Sequence, residues 1–349
     1  MSDTPWDTII VGQGLAGTTL AWRLTEAGQR VLLLDADEPV TSSKIAAGLI
    51  TPITGLRLVL TERLDEFLPV ARDFYARIEA RAGQRFFQER TAVRLFQSDR
   101  QRQAWVQRRA QPDVQAHLVA PEPEPILDAD IADVSDGGFV MRAAQLDVAA
   151  YLSASRTVLA TEAVALDWRR DVVFHADHVA VCDHRAQRIV ACEGFASTRN
   201  PFFSAVKFQA AKGEILTIRT HRPMPSLSLH RGIWVAPTSE PNVFRVGSTY
   251  DHQVFDQQPT TAGRAEIETN LQAFFRVPYT VLEHQAAVRP IIYLSKPLIG
   301  LHPVHTRLGF FNGLGSKGAL LAPWFAQCLA QHLVDGRPLP DDADLRRHI

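Results

Sequence analysis

Lysine is rare in this chain: only five of the 37 basic residues, at positions 44, 207, 212, 296 and 317, carry an ammonium group. Each lysine is therefore worth weighing singly, whereas the arginine excess reads as a coding bias. Cysteine is rarer still. Cys182, Cys192 and Cys328 form no CxxC pair and are too few for a disulfide framework at this size, so reduced thiols are expected. Long hydrophobic runs are missing: no basic stretch precedes an apolar core between Met1 and Asp7, and Ile9 to Val11 is too short for a signal core or a span. The expectation is a cytoplasmic protein with no membrane insertion. Neither sign of charge dominates. With 37 basic against 38 acidic residues the net charge is −1, so no global field gathers nucleic acid or anionic lipid. No repeat period or long low-complexity tract is visible either. What is present is an ordinary globular composition, 46% hydrophobic and 21% charged over 349 residues, enough for two domains with full cores.

The first informative segment lies near the start. Trp6 to Val11 is apolar and β-branched, reads as a short strand, and runs into Gly12-Gln13-Gly14-Leu15-Ala16-Gly17 and then a helix through about Ala27. A second apolar strand, Val31 to Leu34, ends at Asp35, 18 residues after Gly17. Each feature has a task in dinucleotide binding. Gly12 allows the tight turn, Gly14 admits the pyrophosphate to the backbone amides, and Gly17 lets the helix pack against the sheet. The helix N-terminus supplies positive partial charge, and Asp35 would accept hydrogen bonds from the ribose hydroxyls. Spacing alone does not choose between a nicotinamide and a flavin dinucleotide.

Downstream motifs bear on that choice. After Asp35 come Thr41-Ser42-Ser43-Lys44-Ile45-Ala46-Ala47-Gly48-Leu49-Ile50, a hydroxyl pair before a small-residue stretch. The strand Arg188 to Ala191 leads to Cys192-Glu193-Gly194-Phe195-Ala196-Ser197, Ala211-Lys212-Gly213-Glu214 follows, and Ala287-Val288-Arg289-Pro290 precedes Asn312-Gly313-Leu314-Gly315-Ser316-Lys317-Gly318. Together these ordered segments resemble the D-amino-acid oxidase and glycine oxidase superfamily of FAD enzymes over nearly the whole chain. The last motif is also similar to the FAD domain of the bifunctional tRNA methylaminomethyl-uridine enzyme, with lysine where that domain often has arginine.

The resemblance implies an FAD-dependent oxidoreductase that oxidises the C–N bond of a small amino acid or an N-substituted glycine. Hydride would pass to flavin N5, the imine would hydrolyse, and oxygen or another acceptor would take the electrons. Ser42 and Ser43 would help to hold the pyrophosphate, Ala47 and Gly48 would pass the isoalloxazine, and Gly194 would admit the pyrophosphate a second time. Gly313, Gly315 and Gly318 would let backbone approach a flat ring, with Ser316 and Lys317 between them. Lys317 and the helix starting at Gly318 would stabilise the anion of the reduced flavin. Arg289 would bind a substrate carboxylate bidentately and set Cα–H over the flavin. His230, Trp234, Tyr250 and Tyr293 are softer candidates for shaping that pocket, His230 on a strand read from His230 to Pro237. Ile291 and Ile292 stand where some sarcosine oxidases carry a tethering cysteine, so non-covalent FAD is expected.

The fold class that follows is α/β (α+β in all): a Rossmann-like FAD-binding domain with an interleaved substrate domain on a mostly antiparallel sheet. The cofactor domain would take 1–80, 142–200 and 296–349, and the substrate domain 81–141 and 201–295. An amphipathic helix is expected around 62 to 82, where Pro69 would kink or divide it, and another from Leu146 to Ala154. Pro121-Glu122-Pro123-Glu124-Pro125 reads as a stiff loop. Ten arginines between 72 and 109 read as helical surface, with no aromatic pattern for stacking RNA. His175, His178, Cys182 and His184 offer zinc-like ligand types at a spacing that fits a hairpin better than a metal site, so no metal is expected. The alternatives are a tRNA-modifying oxidase that removes carboxymethyl from a wobble uridine, which the near-neutral charge disfavours, and a non-catalytic FAD-binding subunit. A nicotinamide dehydrogenase is a further rival, disfavoured by the segment at Gly194. Oligomeric state is not legible.

Overall fold

Strand Val31–Asp35 reads Val-Leu-Leu-Leu-Asp, apolar at successive positions, because a strand covered on both faces has no solvent side to alternate toward. In the computed structural model of the chain, which describes residues 5–119 and 127–349, that strand sits inside a layered α/β body. Five strands run parallel in the order Leu308–Asn312, His184–Ala191, Trp6–Val11, Val31–Asp35 and Thr161–Ala163. Leu298–Leu301 adds an antiparallel edge, and the hairpin of Val172–Phe174 and Val179–Val181 continues from the start of His184–Ala191.

Four helices bury their apolar faces together in one cluster that includes residues of this sheet: Leu15–Glu26, Leu64–Ala82, Val148–Val158 and Gly318–Asp335. The first and last of these lie side by side. Leu20, Ala21 and Leu24 join Ala322, Phe325 and Leu329 in the same apolar cluster, and Gly318 packs against Leu15, so both helices begin at the same end of the sheet. Pro69 does not divide the helix Leu64–Ala82, which is continuous through it.

The second sheet has eight strands in the order Tyr279–Arg289, Ala211–Thr220, Val243–Gly247, Ile233–Pro237, Ser228–Arg231, Phe87–Leu95, Gly138–Leu146 and Leu49–Ile50. Its pairings are antiparallel apart from Ser228–Arg231 with Phe87–Leu95. Helix Thr261–Gln272 covers one face, burying Ile267 and Leu271 with Leu216, Ile218, Val235 and Phe244. The other face meets the first body across a small apolar contact in which Ile45, Ile215 and Ala287 are buried.

Several expectations need correction. His230 to Pro237 is not one strand: the chain reverses at Gly232, whose φ of 77° suits glycine, and Ser228–Arg231 and Ile233–Pro237 pair with each other. Leu146 ends a strand instead of starting a helix. Asp147 caps the helix Val148–Val158, its carboxylate accepting from Ala150 N at 3.1 Å. The arginine-rich stretch from 72 to 109 is only partly helical, since Phe87–Leu95 runs through it as a strand. Arg72 pairs with Glu89 at 2.7 Å and Arg102 with Asp136 at 3.3 Å. His175 and His178 stack at 4.4 Å, and among the described residues no group of three or more His, Cys, Asp or Glu side chains is placed to hold a metal. The proline-rich stretch at 121–125 lies outside the described residues. No helix among the described residues is long and apolar enough to cross a membrane.

Candidate active site

Where the two sheets face each other, a cavity of about 1290 Å³ runs from the end of Val31–Asp35 to the floor of the second sheet. That exceeds the usual range for a drug-sized ligand, roughly 300–1,000 Å³, and suits a dinucleotide together with a small substrate.

One end is built by the first glycine turn. Gly12 has φ of 103°, and a Cβ there would lie 2.5 Å from the carbonyl oxygen of Cys192, so only glycine passes between the strands Trp6–Val11 and His184–Ala191. The helix that follows starts at Gly14 with no side-chain cap from that residue and no acid in its first turn. The Ser43 hydroxyl accepts from Leu15 N at 3.1 Å, which brings the expected hydroxyl pair to the helix N-terminus. Gln13 lines the cavity and keeps its side-chain amide nitrogen buried without a partner. Asp35 is fixed by two backbone amides, Gln13 N at 2.6 Å and Asp37 N at 2.8 Å, and its remaining lone pairs border the cavity. These residues fit a dinucleotide: backbone amides and the Ser43 hydroxyl for phosphate at the helix start, and a carboxylate for ribose hydroxyls at the strand end.

The middle is built by two loops joined through Asn312. Its side-chain amide donates to Gly194 O at 2.8 Å and Ser197 Oγ at 2.9 Å, and its Oδ1 accepts from Gly313 N at 2.8 Å. Glu193, beside this junction, accepts from Trp168 Nε1 and Asn200 Nδ2, and burial raises its pKa. The segment Asn312 to Gly318 then delivers the N-terminus of Gly318–Asp335 to the cavity, with Gly318 packed against Leu15 of the other helix. Lys317 projects into the cavity with no ion-pair partner among the described residues, and burial lowers its pKa.

The far end is floored by the second sheet. Arg289 ends its strand and lies back over Gly213. Its guanidinium donates to Ser248 Oγ at 2.6 Å and Thr249 O at 3.3 Å, and packs 4.1 Å from the ring of Tyr250. No carboxylate pairs with it among the described residues, and burial lowers its pKa. A Cβ at Gly213 would overlap the guanidinium, so glycine on the neighbouring strand makes the resting place of Arg289. Tyr250 Oη meets Ser316 Oγ at 2.8 Å and so links the second sheet to the Asn312–Gly318 loop. The segment carrying Tyr250 is pinned from behind. Lys212, fully buried on the opposite face from Gly213, donates to Asp256 Oδ1 and Gln258 O, while Glu214 accepts from Thr260 N and Oγ1 at 2.8 Å each.

His230 also lines the cavity, but burial, reinforced by Arg94, holds its pKa at about 3, so the ring is neutral at ordinary pH. Among the expected cofactor residues, Leu15, Ala16, Ser42, Ala47, Gly48, Gly194 and Gly315 border the cavity as well. Gly17 and Gly313 do not. Gly17 packs its helix against the carbonyl of Gly12, and Gly313 lies against Ile292 and Lys296 off the cavity lining. Tyr293 is exposed and lies off the cavity. Sequence reasoning missed Gly213 and Asn312 as site residues, although both stood in quoted motifs. It also missed Arg94, which enters the cavity from strand Phe87–Leu95.

The two-sheet fold with its glycine turns defines a dinucleotide-binding redox scaffold. A model of the DAO family, described as FAD dependent oxidoreductase, matches residues 7–332, and the chain belongs to that family. It is an FAD-dependent oxidoreductase. Its fold is similar to glycine oxidase from Geobacillus kaustophilus (TM-score 0.79, 18% identity, 99% of each chain covered). It is also similar to glycine oxidase from Bacillus cereus ATCC 14579 (0.77, 17%, 95% of this chain and 96% of that one). Iminodiacetate oxidase from Chelativorans sp. BNC1 is a third such structure (0.73, 17%, 98% of each). At these identities the likeness speaks for the fold.

Proposed function

We propose that the protein oxidises the C–N bond of an amino acid or N-substituted glycine whose carboxylate is held by Arg289. The observation that carries this reading is the buried Arg289 guanidinium: it lines the cavity, and no carboxylate among the described residues neutralises it. A guanidinium out of water calls for an anion, and a planar fork fits a carboxylate in two hydrogen bonds. Non-covalently bound FAD supplies the electron sink. The chain's own residues supply orientation. Ser248 and Thr249 fix one side of the Arg289 fork, Tyr250 covers it, and the Ile215 and Trp234 side chains line the floor beside a neutral His230. A substrate anchored there presents Cα–H across the cavity toward the Asn312–Gly318 loop, where Lys317 and the helix N-terminus favour negative charge. The same reading assigns the pyrophosphate to Gly14, Ser42 and Ser43, the ribose to Asp35, and keeps the division into a cofactor domain of 1–80, 142–200 and 296–349 and a substrate domain of 81–141 and 201–295. A free amino acid, not tRNA, is the substrate in this reading, in keeping with the net charge of −1.

The test is anaerobic reduction of the purified FAD-loaded protein by a panel of glycine, sarcosine, D-amino acids, proline, N-carboxymethyl amino acids and a carboxymethylaminomethyl-uridine RNA. Bleaching of the visible flavin band by a free amino acid supports the proposal. Bleaching by the RNA alone would move the substrate class, and a flavin that none of them reduces while a stable heteromeric partner copurifies would make the chain a non-catalytic subunit.

A further inference from the structure

Arg94 is a second cavity arginine that the reading above leaves without a task. It sits on strand Phe87–Leu95 and its side chain is largely buried. Among the described residues its only hydrogen bond runs from Nη2 to the carbonyl of Gly55 at 3.0 Å, and its Nε is buried with no acceptor. No ion pair among the described residues reaches it. Its partner in the strand register is His230, whose ring burial and the Arg94 charge keep neutral. Arg94 thus lines the cavity as a cation that makes one hydrogen bond, and an anion entering there could accept from its remaining Nη hydrogens.

The register of the sheet locates this group relative to Arg289. Arg94 lies opposite His230, His230 opposite Trp234, Trp234 opposite Gly247 and Gly247 opposite Ile215, all in one row across the floor. Ile215 and Gly213 share a strand, and Gly213 lies under the Arg289 guanidinium. Four strand spacings therefore separate the backbone beneath the two arginines, roughly 19 Å. The floor between them is the indole of Trp234 and the uncharged ring of His230. Acidic lining residues belong to other elements: Asp35 and Glu38 at the end of Val31–Asp35, and Glu193 beside Gly194.

We propose that Arg94 binds a second anionic group of the substrate, so that the preferred substrate is an elongated amine with a carboxylate at Arg289 and a remote carboxylate or phosphate at Arg94. This rests on the reading of Arg289 as the carboxylate anchor. The length of the floor excludes glycine, sarcosine or any amine whose two acids lie a few bonds apart from engaging both arginines. The substituent between amine and distal acid lies over Trp234 and His230, a surface that favours an apolar or planar arm.

The experiment uses the FAD-loaded protein and N-(ω-carboxyalkyl)glycines of graded chain length, each beside its neutral terminal amide and its terminal phosphonate. Flavin reduction gives kcat/KM for each compound, and calorimetry with the matching α,ω-dicarboxylic acids and monocarboxylic acids gives binding without turnover. The expected result is a preference for the charged terminus of roughly 10- to 100-fold at one optimal length, which Arg94→Met abolishes and Arg94→Lys partly restores. The carboxylate and phosphonate arms distinguish the two sources of the anion. Equal kcat/KM for acid and amide at every length, or a preference that survives Arg94→Met, overturns the proposal. Monocarboxylate binding that does not depend on Arg289, read with Arg289→Met, overturns the underlying reading instead, so the two failures are separable.

Discussion

Replacing Gly213 by alanine tests the carboxylate anchor without touching it. A methyl group at that position would overlap the Arg289 guanidinium at all three of its nearest atoms, and the fork is held by Ser248 Oγ at 2.6 Å and Thr249 O at 3.3 Å, so it cannot yield without losing one of them. The backbone itself tolerates alanine: Gly213 lies mid-strand and its φ is not in the left-handed region. Displacing the fork removes a bidentate, charge-assisted contact worth about 1.5–3 kcal/mol. Acid binding should therefore weaken roughly 10- to 150-fold.

Calorimetric titration of the FAD-loaded protein with acetate and an aromatic carboxylate reads this directly, and the flavin spectrum checks that cofactor content is unchanged. Gly213→Ala and Arg289→Met should not add, because the first acts through the second: the double variant should bind acids no more weakly than Arg289→Met alone. Wild-type affinity in Gly213→Ala, or additive losses in the double variant, would refute the placement of Arg289 as anchor.

Three further outcomes follow from the same structure. His230 titrates near pH 3 in the folded chain against about 6.5 unfolded, so the unfolded state binds the extra proton between those values. Its contribution to stability is present above pH 6.5 and is lost as pH falls toward 3, at up to about 1.4 kcal/mol per pH unit; denaturant titrations from pH 7 to pH 4 should show a shallower loss in His230→Gln. Lys212→Met should cost about 1–3 kcal/mol, because Asp256 is half exposed and escapes to water while the Gln258 carbonyl loses its donor, and hydrogen exchange should quicken through residues 249–260. Burial raises the pKa of all three thiols, but Cys182 is the exposed one, so alkylation of the native protein should modify Cys182 first and reach the buried Cys192 only on unfolding.

The legibility of this chain follows from how locally each part is determined. The strand, glycine turn, helix and second strand from Trp6 to Asp35 were readable because a parallel strand buried on both faces is an apolar run and the glycines stand where the turn needs them. His230 to Pro237 was misread because Gly232 interrupts neither the alternation nor the apolar content; only its positive φ reveals the hairpin. Gly213 looked like any strand glycine, since what it makes room for arrives from a strand more than seventy residues further on. Arg94 was one of ten arginines in a charged stretch, and nothing around it in sequence separates it from Arg90 or Arg100. It is distinguished by pairing register alone, which sets it opposite His230 and so onto the cavity floor. The difference has a physical origin. The end of the cavity proposed to take phosphate and ribose is made by one strand–turn–helix–strand unit, whose residues must be contiguous to form the turn at all. The cavity's cations Arg94, Arg289 and Lys317 come from three separate elements, and a charge with no local partner leaves no local pattern. The groups proposed to select the substrate are therefore the ones that only the assembled sheet displays.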